Sequence, residues 1–472
     1  MAQSSSETAE NPAPGSAEPE LKRVMGPKLL LLFIIGDILG TGVYALTGKV
    51  AAEVGGAAWA PFIVAFAIAL VTAFSYLELV TKYPRAAGAA LYTHKAFGIH
   101  FVTFLVAFTV MCSGITSAST ASQAFASNLA DGFGLDGENS TLVLGIALAF
   151  MLVVAAVNFR GVGESVKANV VLTLIEVSGL LLVILVGVYA ATGGKADFSR
   201  VTVFDTAGDK NVFLAITAAT SLAFFAMVGF EDAVNMAEET KDPVHNFPKM
   251  MLTGIGVTGV IYVLIAVFAV ALVPVAELGE GDTPLTKVVS AGLPDFPIDK
   301  LMPFIAMFAV ANSALINMLM ASRLLYGMAR QDVLPPPLGW VHKGRQTPWV
   351  AIVFTTTIAF GLIYFVSTTD NPVVSALGGT TALLLLAVFT IVNIAVLVLR
   401  RSPVEHDHFR APSWTPWVGI VLCGFLATPL SGRALQEFVV AGVLLVIGAV
   451  LWVINRLVVG RVDVDASRLG KS

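Results

Sequence analysis

The sequence has few of the residues on which enzymes, metal centres and soluble domains depend. Only 13% of its 472 residues are Asp, Glu, Lys or Arg, about half the share of an average soluble protein. Its two cysteines, Cys112 and Cys423, both fall in apolar predicted helices, so neither a disulfide framework nor a metal site is indicated. No histidine lies in the core of a predicted helix, and no predicted loop is long enough to hold an active site. We therefore expect no enzyme, no cofactor and no nucleic-acid partner.

Long apolar runs are what the sequence has instead. Hydrophobic residues make up 56% of the chain, and the mean hydropathy is +0.83. A helix that crosses a bilayer needs about 20 mostly apolar residues, and windows of that length find about twelve spans. The predicted spans are 28–47, 56–79, 95–128, 140–158, 168–191, 211–233, 250–273, 300–328, 348–367, 373–399, 414–431 and 435–457. The predicted fold is an all-α membrane protein of twelve transmembrane helices, lying in the lipid bilayer of the plasma membrane.

The basic residues are distributed unevenly over the two sides of these spans. Counted loop by loop, 21 of the 28 Lys and Arg residues lie on one side and 7 on the other. Because cytoplasmic loops carry the excess of basic residues, both termini are predicted to be cytoplasmic, which also favours an even number of spans. Residues 1–24 are polar and acidic and predict a disordered cytoplasmic tail. Residues 459–472 predict a second cytoplasmic tail.

The first predicted span contains residues that a helix in lipid does not tolerate well. Its segment "IIGDILGTGVYALTG" includes Asp37 and the run Gly40-Thr41-Gly42. The sixth span, in "SLAFFAMVGFEDAVNMAEETKDP", is interrupted around Val228-Gly229 and is followed at once by carboxylates. Interrupted helices at membrane depth are tolerated where the freed backbone lines a cavity. The alternative is that Gly36 and Gly40 form a GxxxG surface for close helix packing.

Interruptions in the first and sixth helices predict two inverted repeats of five helices, a pattern typical of secondary transporters. The predicted parts are a first repeat at 25–192, a second repeat at 193–400, and helices eleven and twelve at 401–458. Backbone N–H groups freed near Thr41 to Val43 favour an anionic carboxylate. Backbone carbonyls freed near Phe225 to Val228 favour an ammonium group. Donors on one side and acceptors on the other match a zwitterion, and this predicts an amino acid as the substrate.

Three carboxylates lie within predicted spans: Asp37, Glu176 in "LTLIEVSGLLLVI", and Glu231. Each costs about 2.5–3.5 kcal/mol at the bilayer centre, so each is a functional candidate. We hypothesise that Asp37 and Glu176 approach one another and share a proton. The alternatives are that Asp37 caps a half-helix or bonds to backbone, and that Glu176 faces a polar groove. Glu231 is a candidate partner for a proton, for a cationic substrate, or for Thr and Tyr hydroxyls.

Four segments together resemble the amino acid-polyamine-organocation transporter superfamily, and within it bacterial relatives of the cationic amino acid transporter group. They are "LGTGVYALTG" in the first helix, "YLELVTKYPRAAGAALYTHKAFG" after the second, "FFAMVGFEDAVNMAEETKDPVHNFP" in the sixth and "SRLLYGMARQDVLP" after the eighth. The order is that of the family, and the similarity extends along nearly the whole chain. Two departures, Ala89 in place of a glycine and Val333 in place of a glycine, fall in predicted cytoplasmic loops.

The resemblance implies roles for particular residues. It places the substrate carboxylate on the backbone of Thr41, Gly42 and Val43, and the amino group on the carbonyls of Phe225, Ala226 and Val228. Phe225 corresponds to the family's gating aromatic residue, and Phe230 would be a second wall of the pocket. Gly40 and Gly229 would open the two helices. Several proton-coupled members have a lysine close to the position of Glu176, so a carboxylate there should either carry the coupling proton or bind a cation.

These observations favour a secondary transporter that takes up amino acids by alternating access, coupled to protons. Cationic amino acids are candidate substrates because of the buried carboxylates. An exchanger of amino acids or amines and a polyamine transporter are the nearest alternatives, and a channel is a more distant one. A monomer or a homodimer is expected. Arg323 and Arg330 are candidates to pair with Glu78 or with Glu238-Glu239, although positive-inside anchoring explains them nearly as well.

Overall fold

The protein is described by a computed structural model that covers most of the chain. The described residues are 25–84, 88–136, 140–160, 165–206, 211–237, 240–295, 297–330, 334–345, 347–368 and 373–459. The predicted tail 1–24 lies outside these ranges. The predicted tail 459–472 also lies outside them, except for Val459, which ends the last helix. Within the ranges the chain is helical, and its only β pairing consists of isolated bridges.

Among the described residues, eleven helices are long and apolar enough to cross a membrane. They are α1 (Pro27–Val54), α2 (Trp59–Lys82), α4 (His100–Gly132), α5 (Ser140–Arg160), α6 (Ser165–Thr192), the interrupted span Val212–Met236, α9 (Pro243–Leu272), α12 (Met302–Arg330), α13 (Trp349–Ser367), α14 (Val373–Leu399) and α16 (Leu435–Val459). The interrupted span consists of α7 (Val212–Ala223), a 3-10 turn, and α8 (Phe230–Ala233) with a second 3-10 turn. Shorter helices are α3 (Gly88–Phe97), α10 (Val275–Gly279), α11 (Pro284–Gly292) and α15 (Thr415–Leu426).

Several predicted spans differ from the observed helices at their ends: α1 extends to Val54 rather than 47, and α9 begins at Pro243 rather than 250. Two further differences concern the third and the eleventh spans. The third was expected to begin at residue 95, but α4 begins at His100, because Gly98 turns the chain at a φ of 64° and separates it from α3. The predicted span 414–431 holds the 12-residue helix α15 and then a 3-10 turn that starts at Pro429. A helix of that length extends about 18 Å, less than the hydrocarbon core of about 30 Å. The count of twelve transmembrane helices therefore stays a prediction.

Small and hydroxyl-bearing side chains allow the helices to pack closely around α4. Its buried face is rich in Ala, Ser and Thr, and it contacts α12, α14 and α5. The Thr116 hydroxyl lies 2.6 Å from that of Thr381 on α14, and Ser122 donates to the carbonyl of Ala147 on α5 at 2.6 Å. Small residues let helix backbones approach one another closely in an apolar environment, and hydroxyl groups donate hydrogen bonds to backbone carbonyls. α4 therefore packs closely against several helices, and α1 is one of them.

The backbones of α1 and the interrupted span run antiparallel and are joined at both ends. At the start of α1, the amide of Lys241 donates to the carbonyl of Met25 at 2.9 Å. Beyond the other end of α1, the amide of Ala57 donates to the carbonyl of Val203 at 3.2 Å. The start of one helix therefore lies beside the end of the other, and this arrangement brings their middle parts together.

Candidate functional site

The first interruption is at Gly40, in the middle of α1. Its φ of −25° and ψ of −147° depart from the helical values that precede and follow it. Ser313 of α12 packs directly against this glycine, so that a Cβ there would overlap the serine hydroxyl. The following residues Thr41 and Val43 are buried, and the Thr41 hydroxyl has no hydrogen-bond partner among the described residues. The prediction of a break at Gly40-Thr41-Gly42 agrees with this backbone geometry.

The second interruption lies at Val228 and Gly229, where the sequence predicts it. After α7 the chain forms a 3-10 turn over Phe224–Met227, and Val228 is extended, with φ −71° and ψ 146°. Gly229 has a φ of 125°, which side-chain-bearing residues rarely adopt. The helix α8 then begins at Phe230. A glycine is therefore required at this position by conformation alone.

The two interruptions lie directly against one another. A Cβ placed on Gly42 would be 2.7 Å from the Cβ of Ala226 and 3.0 Å from its backbone nitrogen. A Cβ placed on Gly229 would be 2.7 Å from both the carbonyl carbon and the carbonyl oxygen of Asp37. A real Cβ atom does not approach other atoms so closely, so the two interruptions can be in contact only because both positions are glycine. The structure thus brings together the two predicted interruptions.

Several backbone groups around the interruptions already have partners within the protein. The carbonyl of Phe225 accepts the amide of Val228 at 3.3 Å, and the Gly229 amide donates to Oε2 of Glu231 at 2.9 Å. The Tyr262 hydroxyl of α9 donates to the carbonyl of Ile38 at 2.6 Å. Tyr262 was not singled out from the sequence. Its hydroxyl, set in an apolar helix, is the only sequence signal that could have pointed to it.

The two predicted aromatic residues lie in different surroundings. Phe225 is buried and packs against α14 at Gly378, where a Cβ would be 3.6 Å from its ring. Phe230 is fully buried in an aromatic cluster, edge-on to Tyr76 with ring centroids 5.8 Å apart and tilted against Phe389 at 5.4 Å. Phe225 therefore stands where half-helix α7 meets α14, whereas Phe230 anchors the start of α8.

The buried carboxylates gather near the interruptions. Glu176 is fully buried, and neither of its carboxylate oxygens has a hydrogen-bond partner among the described residues. Asp37 is 9% exposed, and its Oδ2 has no partner there either. The backbone carbonyl of Asp37 packs against Gly229, two residues before Glu231. Tyr44 donates to the backbone carbonyl of Glu176 at 2.8 Å rather than to the side chain.

A polar group on α6 consists of Asn169, about two turns before Glu176, and Thr173, about one turn before it. Oδ1 of Asn169 accepts hydrogen bonds from Thr173 and from Asn312 of α12, both at 3.1 Å. Thr173 also packs against Gly36 of α1, so closely that a Cβ at Gly36 would overlap its side chain. Gly36 therefore serves close helix packing, as the GxxxG alternative proposed. The isolated Asn169 and Asn312 in apolar helices were the sequence signal for this group.

Two adjoining clefts open beside the second interruption. Both are lined by Glu231 and Asp232, and none of the lining residues that the structure describes is basic. Their polar lining is completed by Ser113, Asn317 and Thr381 in one cleft and by Tyr76 and Asn235 in the other. The second cleft reaches α3, at the end of the bundle where α1 begins. Asp232, which the sequence places beside Glu231, thus belongs to the site although it was not predicted as a site residue.

Ion pairs tie the helices together at both ends of the bundle. At the end where α1 begins, Glu78 receives two hydrogen bonds from Arg400, at 2.8 and 2.7 Å, whereas Arg323 and Arg330 were the predicted candidates for Glu78 or for Glu238-Glu239, and the latter pair lies outside the described residues. At the opposite end, Lys49 lies 3.5 Å from Asp282, in the connection between α10 and α11. Lys49 also donates to the carbonyl of Gly279 at 3.1 Å. Helices α10 and α11 thereby cover the end of α1, on the side away from the clefts.

Comparison with known proteins agrees with these features. A family model for amino acid permeases matches residues 27–454. The chain is 28% identical to the methylthioribose transporter of Bacillus subtilis (strain 168) over 452 residues, which cover 90% of this chain and 92% of that protein. It is 25% identical to the branched-chain amino acid permease BcaP of the same organism, over 93% of this chain and 94% of that protein. It is 28% identical to the vacuolar cationic amino acid transporter 2 of Arabidopsis thaliana, over 82% of this chain and 61% of that protein.

Proposed function

Because the chain belongs to the amino acid permease family, we propose that it is a secondary transporter that takes up an amino acid across the plasma membrane, coupled to protons. The relatives are transporters rather than enzymes. The observation that carries the proposal is the contact between two helix interruptions, Gly42 against Ala226 and Gly229 against Asp37. Opened backbone at the middle of two spans is tolerated where it meets a polar ligand. The site is therefore built to hold a small polar molecule within the membrane.

The polarity of the two interruptions supports a zwitterionic substrate. The backbone from Thr41 to Val43 begins the second half of α1, where the helix dipole favours an anionic carboxylate. The carbonyls of Ala226 and Val228 end the first half of the other helix, where the dipole favours an ammonium group. The proposed binding residues are Gly40, Thr41, Gly42, Val43, Phe225, Ala226, Val228, Gly229 and Phe230.

The antiparallel course of the two interrupted helices supports the proposed inverted repeats, 25–192 and 193–400. Helices related by an axis in the membrane plane run in opposite directions, as α1 and the interrupted span do. We propose twelve membrane helices with both termini in the cytoplasm, on the distribution of Lys and Arg. The clefts would then face the cytoplasm, and the Lys49–Asp282 pair would close the outer side.

We propose that Glu176 and Asp37 carry the coupling proton. Three of their four carboxylate oxygens have no hydrogen-bond partner among the described residues, and a buried charge without a partner is costly. A proton removes that charge. One charge that crosses 100 mV supplies about 2.3 kcal/mol, enough for an accumulation of about 40-fold. Proton binding at this pair would thus connect the membrane potential to the substrate site.

The substrate side chain is proposed to be cationic. Glu231 and Asp232 face the same clefts, and the described part of the lining holds no basic side chain. An ammonium or guanidinium group there would compensate two carboxylates that otherwise interact unfavourably. Arginine, lysine and diamines are therefore the first compounds to test, and neutral amino acids are the comparison set.

Uptake into proteoliposomes tests the proposal. Radiolabelled amino acids and polyamines are offered with and without an inward proton gradient to the wild type and to Glu176→Gln, with Glu405→Gln as a control at an exposed loop carboxylate. We expect the gradient to stimulate uptake in the wild type and in the control. We expect Glu176→Gln to abolish this stimulation while substrate binding survives.

Two results would contradict parts of the proposal. Uptake that does not depend on the proton gradient and requires an amino acid inside the vesicle would show that the protein is an exchanger. Its mechanism would then include no proton coupling. Failure to take up any amine, by a protein that is folded and correctly inserted, would reject the substrate class.

A further inference from the structure

A buried arginine lies in the connection between α15 and α16. Arg433 belongs to the minority of basic residues on the predicted outer side, where water would normally solvate it. Its residue is only 9% exposed and its side chain 1%. It pairs with Glu437, one turn further along the chain, at 2.5 Å. Burial of both charges is unusual for a residue in a loop.

The guanidinium group joins four elements of the structure. It donates to the carbonyl of Leu426 on α15 at 2.7 Å and to that of Gly379 on α14 at 2.9 Å, besides its bond to Glu437 on α16. Its longest contact, at 3.4 Å, is with the carbonyl of Ser221 on α7. Three short bonds therefore attach Arg433 to α14, α15 and α16, and one long bond attaches it to the half-helix.

Two contacts of Arg433 lie near Phe225, one on α7 and one on α14. Ser221 is in the last turn of α7, where carbonyls lose their helical partners and a cation is favoured by the helix dipole. Gly379 follows Gly378, which packs against the Phe225 ring. Arg433 thus links the end of the half-helix to the part of α14 that contacts the aromatic residue at the second interruption.

A second group of contacts docks the same connection along α7. The Thr217 hydroxyl donates to the carbonyl of Ser431 at 3.0 Å. A Cβ at Gly432 would lie 3.4 Å from the Cβ of Ala218 and 3.3 Å from the carbonyl of Leu214. The connection therefore follows the half-helix over two turns rather than touching it at a single point.

Stability alone does not account for this arrangement. Well-packed apolar residues often replace a buried ion pair with no loss of stability, because desolvation of the two charges offsets their attraction. In some proteins such pairs specify one arrangement among alternatives. Here the arrangement that the pair specifies is the position of α7 against α14.

We propose that Arg433 is a positioning residue for the second interruption. Together with Glu437 it holds the end of α7 against α14 while the site is closed at the end where α7 begins, and it releases the Ser221 carbonyl when that end opens. Helices α15 and α16, which lie outside the two proposed repeats, thereby take part in gating. The gating role rests on the proposed alternating-access function. The contact between Arg433 and α7 does not depend on that function.

A thiol reporter on α7 tests this contact without any transport assay. Ala218→Cys places a thiol at a buried position beside Gly432, and the native cysteines Cys112 and Cys423 are buried. The full-length protein in proteoliposomes is labelled with a membrane-impermeant maleimide. The test variants are Arg433→Lys, which keeps the charge but not the forked geometry, and Arg433→Met with Glu437→Met, which leaves no unpaired charge.

Both variants are expected to raise the labelling rate of the Ala218→Cys reporter by at least about fivefold, the lower end of couplings between sites. Arg401→Met, at an exposed position after α14, should not change the rate. A second reporter, Ala359→Cys, buried in α13, separates release of α7 from a general loss of structure, because α14 is the one element joined by Arg433 with which the described part of α13 makes extensive contact.

Three outcomes decide the proposal. Faster labelling at position 218 with unchanged labelling at 359 supports it, even if no amine is transported. Rates at 218 within about twofold of the parent in either folded variant overturn it, because the coupling would then fall below the usual range. Equal acceleration at both positions also overturns it, since Arg433 would then only stabilise the fold.

Discussion

Gly229→Ala is the substitution for which the structure predicts the sharpest effect. A φ of 125° is strained for any residue with a Cβ, and such strain costs about 1–3 kcal/mol. The new Cβ would also lie 2.7 Å from the carbonyl carbon and oxygen of Asp37, and backbone atoms cannot turn away as a side chain can. The second interruption must therefore move away from the first. If this strain opposes formation of the binding site, the apparent substrate affinity falls by about 5- to 150-fold.

Equilibrium binding of a radiolabelled substrate to the purified protein measures this loss. Gly256→Ala is the matched control, because its Cβ would meet no atom within 4 Å and it lies inside the regular helix α9. The control is expected to leave binding unchanged and to stabilise the protein by about 0.5–1 kcal/mol. An affinity of Gly229→Ala equal to that of the control would refute the reasoning, because the two interruptions would then not need their close approach.

Three further substitutions test separate contacts. Tyr262→Phe removes the hydroxyl that donates to the Ile38 carbonyl at 2.6 Å and should lower the free energy of unfolding by about 1–3 kcal/mol; an unchanged thermal melting point in detergent would contradict the role of this bond. Gly36→Ala should destabilise by about 1–3 kcal/mol through overlap with Thr173, and a double variant with Thr173→Ala should recover part of the loss in the same assay. Burial raises the pKa of Asp282, so the folded state binds this proton more tightly than the unfolded state does. The melting temperature of the wild type, relative to that of Asp282→Asn, should therefore rise as the pH falls through the raised pKa and should reach its full gain below about pH 3.9. This gain should be lost as the pH rises. A difference in melting temperature that does not vary with pH would refute the prediction.

The interruptions could be predicted because the sequence signals them locally. Glycines such as Gly40 and Gly229, set beside polar residues in an apolar run, conflict with an unbroken helix, and the backbone departs from helical geometry at both. The boundaries of some helices were less accessible. Gly98 separates α3 from α4 through one unusual dihedral angle, in a run whose hydropathy continues on both sides. Hydropathy averages over such a turn and does not detect it.

Contacts between distant parts of the chain were beyond the reach of the sequence. Arg400 pairs with Glu78, 322 positions away, and nothing in the local pattern distinguishes it from Arg323 or Arg330 as a partner. Arg433 was counted as an outer basic residue, since its burial depends on how α15 and α16 pack on α7. Asp232 follows Glu231 in the sequence but was not predicted as a site residue, because its place in the clefts depends on residues of other helices that line them.

The hydrogen bonds that join α1 to the interrupted span have a consequence for genetics. They run from main chain to main chain, as between Lys241 and Met25 at one end and between Ala57 and Val203 at the other. An alanine scan leaves every one of these donors and acceptors in place, so it does not test these bonds, although Gly229→Ala tests the contact between the interruptions. Replacing a single amide by an ester at Lys241 removes the donor and keeps the side chain. Chemical editing of the backbone is therefore the mutagenesis to which this connection would respond.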